Sequence, residues 1–232
     1  MDLIWEGIRE GFTILRTGDR DVWEITLRSL FISGSATLLA LVLGVGAGAV
    51  LAFRRFPGRN ILVALVNTGM GLPPVVVGLL IAVLLWRSGP LGMLNLIYTP
   101  GAMVIAQTVI ATPLVTGFSV AALGALPAKL RPQLYALGAS RWQMLWLMLQ
   151  EARLPLLAAI MAGFGAAVSE VGASIMVGGN LSGDTRVLTT AVVLEVSRGE
   201  FPAAIALSFI LLVLIFLVNA VLTGVQQQER AP

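Results

Sequence analysis

Few residues in this 232-residue chain can do chemistry. It has no histidine and no cysteine, which excludes thiol chemistry, disulfides, zinc sites and imidazole acid–base catalysis. Glu170 is the most conspicuous charge inside an apolar run. A charged side chain at mid-bilayer costs roughly 2.5–3.5 kcal/mol on insertion scales, so it faces protein or water. An ionised Glu170 would repel an anion in a narrow pore. It therefore reads as a structural or gating group, accepting hydrogen bonds from Ser169, Ser174, Thr108 or a neighbouring subunit. Just downstream, Gly178, Gly179 and Asn180 can turn the chain sharply and present backbone N–H groups. Thr185, Thr189 and Thr190 add hydroxyls, and Arg186 adds a cation. Uncharged donors around one cation suit the transient passage of an anion. The alternative is a plain turn leaving an apolar span. Gln107, Thr108 and Thr112 are weaker lining candidates.

These residues need a scaffold, and the composition says which solvent it meets. Apolar residues make up 57% of the chain, with a mean hydropathy of +0.92, against about 45–50% in soluble domains. A membrane-spanning helix takes roughly 20 apolar residues. Five windows qualify, about Ile25–Ala52, Ile61–Trp86, Gly101–Leu126, Pro155–Val177 and Phe201–Val225. Backbone groups must be satisfied inside lipid, and no barrel-like alternation occurs, so helices are expected. The fold class is an all-α membrane protein of five transmembrane helices. Asp2, Glu6, Glu10 and Asp19 stand where a secretory signal needs positive charge, so no such signal is expected. Residues 1–24 form an amphipathic segment, with Ile4, Ile8, Phe12 and Leu15 at helical spacing, expected to lie along the membrane surface.

Charge sets the orientation. Arg54, Arg55, Arg59, Lys129, Arg131, Arg141, Arg153 and Arg230 fall on one side, with Glu151 and Glu229 as the acids there. Arg9, Arg16, Arg20, Arg28, Arg87, Arg186 and Arg198 fall on the other, where acids outnumber bases. The positive-inside rule puts the first set in the cytoplasm, the N-terminus out and the C-terminus in. The net charge of +3 sits mainly at span ends and does not point to nucleic acid. Pro73 and Pro74 lie mid-span after Gly69 and Gly71, and Pro113 lies in the third span; each removes a backbone donor and is expected to kink its helix. A gate and an ordinary bent packing helix are equally good readings. Gly44, Gly46, Gly48 and the Gly163–Ala167 run invite close helix packing.

No Gly-x-x-x-x-Gly-Lys-Ser/Thr run is present to hold a nucleotide, and Leu181-Ser182-Gly183-Asp184 on the outer side is a coincidental match to an ATPase signature. One loop is unusually long and partly basic. Residues 124–155 carry Leu134-Tyr-Ala-Leu-Gly-Ala-Ser-Arg-Trp-Gln, broken at Gly138, with Trp142 and Trp146 four apart. The read orientation makes this loop cytoplasmic. An interfacial hairpin anchored by the two tryptophans is one reading; a docking element is the other.

With Ala136, Gly138, Ala139 and Ser140 in place, the loop resembles the cytoplasmic coupling loop of ABC importer permeases. It departs from the family pattern in one respect: Gln150-Glu151 stand where Leu-Pro is usual, and Leu154-Pro155 come later. Ser169-Glu-Val-Gly, Met176-Val-Gly-Gly-Asn and Thr185-Arg-Val-Leu-Thr-Thr, followed by Gly199-Glu-Phe, look like the tungstate-type oxyanion permeases of that family, and Leu27-Arg-Ser-Leu fits at the other end. The resemblance implies one transmembrane permease domain over residues 1–232 with a type I importer core, multi-pass in a prokaryotic cytoplasmic (inner) membrane. It implies a homodimer with the pathway at its interface, cytoplasmic ABC ATPases that bind ATP and Mg, and an extracytoplasmic binding protein. The chain itself would hold no cofactor or metal and catalyse no reaction. Pro73, Pro74, Glu170, Gly178, Gly179, Asn180, Thr185, Arg186 and Thr189 become the path or gate. The implied cargo is tungstate. Molybdate, sulfate, an amino acid or a phosphonate are alternatives within the class, and an ATP-independent transporter or channel is one outside it.

Overall fold

The computed structural model describes residues 2–228 apart from the side chains of Asp2, Leu3, Glu10, Leu15 and Gln228. Glu229 and Arg230 of the charge count lie outside them, as do the Glu10 and Leu15 side chains of the amphipathic stripe. The described residues form helices and no strand: α1 (Asp2–Thr17), α2 (Arg20–Phe53), α3 (Arg59–Met70), α4 (Pro74–Leu85), α5 (Pro100–Gly124), α6 (Leu130–Ala136), α7 (Arg141–Glu151), α8 (Arg153–Val168), α9 (Gly172–Gly178), α10 (Leu188–Arg198) and α11 (Phe201–Gln228), with a 3-10 turn at Gly92–Leu94.

Three helices are long and apolar enough to cross a membrane, Arg20–Phe53, Pro100–Gly124 and Phe201–Gln227, and five spans result if α3 with α4 and α7 with α8 each count as one. The frame is α2 against α5. A side chain at Gly44 would meet Val115, and one at Gly48 would come within 2.5 Å of Ser119 Cβ, whereas Gly46 faces open space. Two of the three glycines thus bring the helices together, and Ala40, Ala111, Val115 and Ala159 fill the seam, drawing in α8.

Two expected spans are not single helices. Ile61–Trp86 is divided into α3 and α4, bent by 101°, which is far more than a kink. Pro73 and Pro74 in succession take away the N–H groups that Gly69 and Met70 carbonyls would bind four residues on. Gly71 N donates to Thr68 O instead, and Leu72 N to Gly69 O, closing α3. Pro155–Val177 is likewise divided, α8 stopping at Val168 and α9 starting at Gly172. Pro113, by contrast, does not break α5.

The segment expected on the membrane surface is α1, and it is seated on α11. Gly7 meets Ile205, Gly11 meets Ala206 and Phe209, and the Phe12 and Phe209 rings lie 5.1 Å apart. The contact face runs through the two glycines, while Ile4 and Phe12 are largely exposed.

Candidate functional site: paired helix breaks, the loop after α9 and an exposed hairpin

The breaks flanking α4 and α9 face each other. A cavity of about 330 Å³ is lined by Gly69–Pro74 and Val77 from the first, Ala166, Ser169 and Glu170 from the second, and Val109, Ile110 and Leu114 of α5. Pro73, Pro74 and Glu170 are therefore brought together. Glu170 is 6% exposed. Its Oε1 accepts a hydrogen bond from Ala173 N at 2.7 Å, one of the free N–H groups opening α9. The expected partners are engaged elsewhere: Ser169 Oγ donates to Gly165 O, Gln107 Nε2 donates to Ser174 Oγ, and Thr108 Oγ1 donates to Val104 O. The carboxylate is held by backbone rather than hydroxyls because α9 starts two residues after it, which leaves the Ala173 N–H free to donate. Thr189 Oγ1 donates to Glu170 O at 3.1 Å, so α10 is tied to the same break. α4 lies directly on α9; a Cβ at Gly78 would sit 2.5 Å from Ala173 Cα.

Gly178, Gly179, Asn180, Thr185 and Arg186 gather at the other end of α9. Thr185 is fully buried; its hydroxyl donates to Gly178 O at 2.5 Å and accepts from Leu181 N. Thr190 Oγ1 donates to Val187 O, and Asn180, in the left-handed region at φ 51°, donates from Nδ2 to Thr190 O. The hydroxyls expected to line a path are thus spent on the loop itself. What stays unpartnered there is Asn180 Oδ1 and Arg186 Nε. Three contacts that the sequence did not disclose hold this loop. Arg28 of α2 donates to Arg186 O at 3.1 Å and to Gly183 O at 2.8 Å. Leu188 N donates to Ser29 Oγ. Tyr98 N donates to Val177 O, its ring lying against Gly179. Arg28 and Ser29 were marked by their polarity at the start of an apolar span and by the Leu27-Arg-Ser-Leu resemblance, neither of which discloses these contacts; Tyr98 carried no signal.

The 124–155 loop is a helical hairpin. α6 ends at a left-handed Gly138, φ 79°, whose N–H donates to Tyr135 O while Ala139 N donates to Leu134 O. Ser140 and Gln143 cap α7 reciprocally, Gln143 N donating to Ser140 Oγ and Ser140 N to Gln143 Oε1. Met144 and Met148 face inward; Leu137, Trp142 and Trp146 are 83%, 81% and 63% exposed. Arg131 anchors the hairpin to α2, donating to Phe53 O at 2.8 Å with its guanidinium over the Phe53 ring. Ala136, Gly138, Ala139 and Ser140 therefore sit together at the capped turn of an outward apolar surface.

A helical chain with an apolar frame, broken helices around a cavity and a capped surface hairpin has the parts of a transport subunit. The family described as binding-protein-dependent transport system inner membrane component matches residues 40–230. The chain belongs to this family. It is the membrane permease of an ABC importer, and the family carries with it an ATPase and a binding protein as partners. The permease is 39% identical over 214 residues to a probable anion ABC transporter permease of Haloferax volcanii, covering 90% of this chain and 91% of that one. It is 35% identical over 228 residues to the tungstate uptake system permease of Peptoclostridium acidaminophilum, covering 98% and 100%. A solved structure of the MetNI methionine ABC transporter in inward-facing form shares its fold, with a TM-score of 0.69 at 20% identity over 90% of this chain and 94% of that one.

Proposed function

We propose that the permease carries a tetrahedral oxyanion, tungstate first, across a prokaryotic cytoplasmic membrane, as a homodimer of five-span subunits with the N-terminus outside. Each subunit engages one ATPase through Ala136, Gly138, Ala139 and Ser140. ATP and Mg belong to that ATPase, whose closure drives the hairpins and switches access from inside to outside. An extracytoplasmic binding protein delivers the cargo. The cargo assignment is supported by likeness along the full length of a tungstate permease. The coupling assignment is carried by one observation: Leu137, Trp142 and Trp146 stand exposed on a hairpin whose turn is fixed by caps, an apolar surface that a soluble protein groove would cover. Pro73, Pro74, Glu170 and Thr189 form the gate region, and Gly178, Gly179, Asn180, Thr185 and Arg186 the outer end of the path, where Arg186 Nε is the donor left to meet an anion.

The chain has no cysteine, so Ala139→Cys is a unique attachment point. A cross-linker at that thiol is expected to capture the partner ATPase in membranes and to block uptake. Efficient modification of Ala139→Cys with neither capture nor loss of uptake would sink the coupling role.

A further inference from the structure

The cavity between the two breaks has an imbalance that neither break explains alone. Its lining is rich in acceptors and short of donors. Pro73 and Pro74 have no N–H. The Gly71 and Leu72 N–H groups are spent on Thr68 O and Gly69 O, and that of Glu170 on Ala167 O. The Ser169 hydroxyl is spent on Gly165 O. Two lining residues, Met70 and Val109, have a proline four positions on, Pro74 and Pro113, so neither carbonyl has its ordinary helical partner. Into this space comes the Glu170 carboxylate, with the Ala173 N–H as its hydrogen-bond donor.

Among the described residues, the ion pairs Arg20–Glu24 and Arg198–Glu195 leave Glu170 out, and the Arg186 guanidinium reaches Asn180 O in the loop after α9. α4, α5 and α9 contain no Lys, Arg, Asp or Glu. α3 carries only Arg59, at its first position, and α8 only Arg153, at its first, roughly 20 Å from its last turn at 1.5 Å per residue. α10 carries Glu195 and Arg198 in its final turn, where they pair with each other at 3.0 Å. The Arg28 guanidinium of α2 is committed to the loop after α9. A largely buried carboxylate held by one backbone N–H and no ion pair is a costly arrangement, and buried charges are ordinarily paired or coordinate a cation.

We propose that this cavity is a cation site: a monovalent metal ion such as Na⁺ is held by Glu170 with the Met70 and Val109 carbonyls. Hard cations take oxygen ligands of this kind, and about 330 Å³ leaves room for an ion with several waters. The site follows from this chain's own acceptors and does not need the cargo to be known. Its purpose rests on the oxyanion reading, since neutralising Glu170 removes the repulsion that would otherwise oppose an anion passing the gate.

The test is thermal unfolding of the permease–ATPase complex in lipid nanodiscs, without cargo. NaCl is exchanged for choline chloride at constant ionic strength. Na⁺ is expected to raise the unfolding temperature of the permease by about 2–4 °C over choline. Glu170→Gln, which keeps an acceptor for Ala173 N, is expected to abolish the rise, and Glu170→Asp to retain part of it. A wild-type complex unmoved by Na⁺ would overturn the proposal, as would an equal rise in Glu170→Gln. Failure of tungstate uptake by the same complex would remove the cargo and leave this result standing.

Discussion

Arg28 and Glu170 hold opposite ends of α9, and each does so through backbone rather than through another side chain. Glu170 accepts from the first turn; Arg28 spans two carbonyls of the loop that follows. Hydrogen bonds to charged groups contribute about 1.5–3 kcal/mol, and the Gly183 bond is exposed, so Arg28→Ala should cost about 1–2 kcal/mol. Lysine lacks the planar fork that reaches both carbonyls, so Arg28→Lys should not restore the loss; chemical or thermal unfolding of the two variants measures this. Gly78→Val tests the opposite contact. The backbone of Ala173 cannot move aside as a side chain can, and overpacking of this sort costs about 1–3 kcal/mol. A Gly78→Val protein as stable as wild type would mean that α4 and α9 are not in close contact.

At the scale of elements, the hairpin separates stability from coupling. Gly138 has open space around it but a left-handed φ. A β-branched residue there should cost about 1–2 kcal/mol and distort the turn, so Gly138→Val is expected to insert normally and lose ATP-driven uptake, while Gly138→Asn, which tolerates that conformation, keeps more of it. Trp142→Ala with Trp146→Ala should change stability by no more than about 0.5 kcal/mol, as exposed sites do, yet weaken binding of the ATPase in a pull-down. Equal ATPase binding by that double variant would move the contact off α7. The hairpin was legible in the sequence because a helix-ending glycine, a capping serine and two tryptophans four apart are all local signals. The apolar windows were legible for the same reason. The depth of the breaks was not. One kink was expected from Pro73-Pro74, but the 101° bend depends on α4 lying down on α9, a packing contact between residues far apart in sequence. The same limit applies to Glu170: its isolation was visible, whereas its partner, an Ala173 N–H, became available only because α8 stops at Val168. The threonines were read as free donors, since nothing local shows that Thr185 folds back onto Gly178 O.

For the whole molecule, the family accounts for an apolar frame with one capped, exposed hairpin, and the cargo is where the reading reaches furthest. The direct measurement is uptake of labelled tungstate by proteoliposomes holding this permease with its ATPase and binding protein, with molybdate and sulfate as competitors. Uptake that requires enclosed ATP, requires the binding protein and resists both competitors is the predicted result. An intact complex that hydrolyses ATP but accumulates no tungstate would contradict the oxyanion assignment.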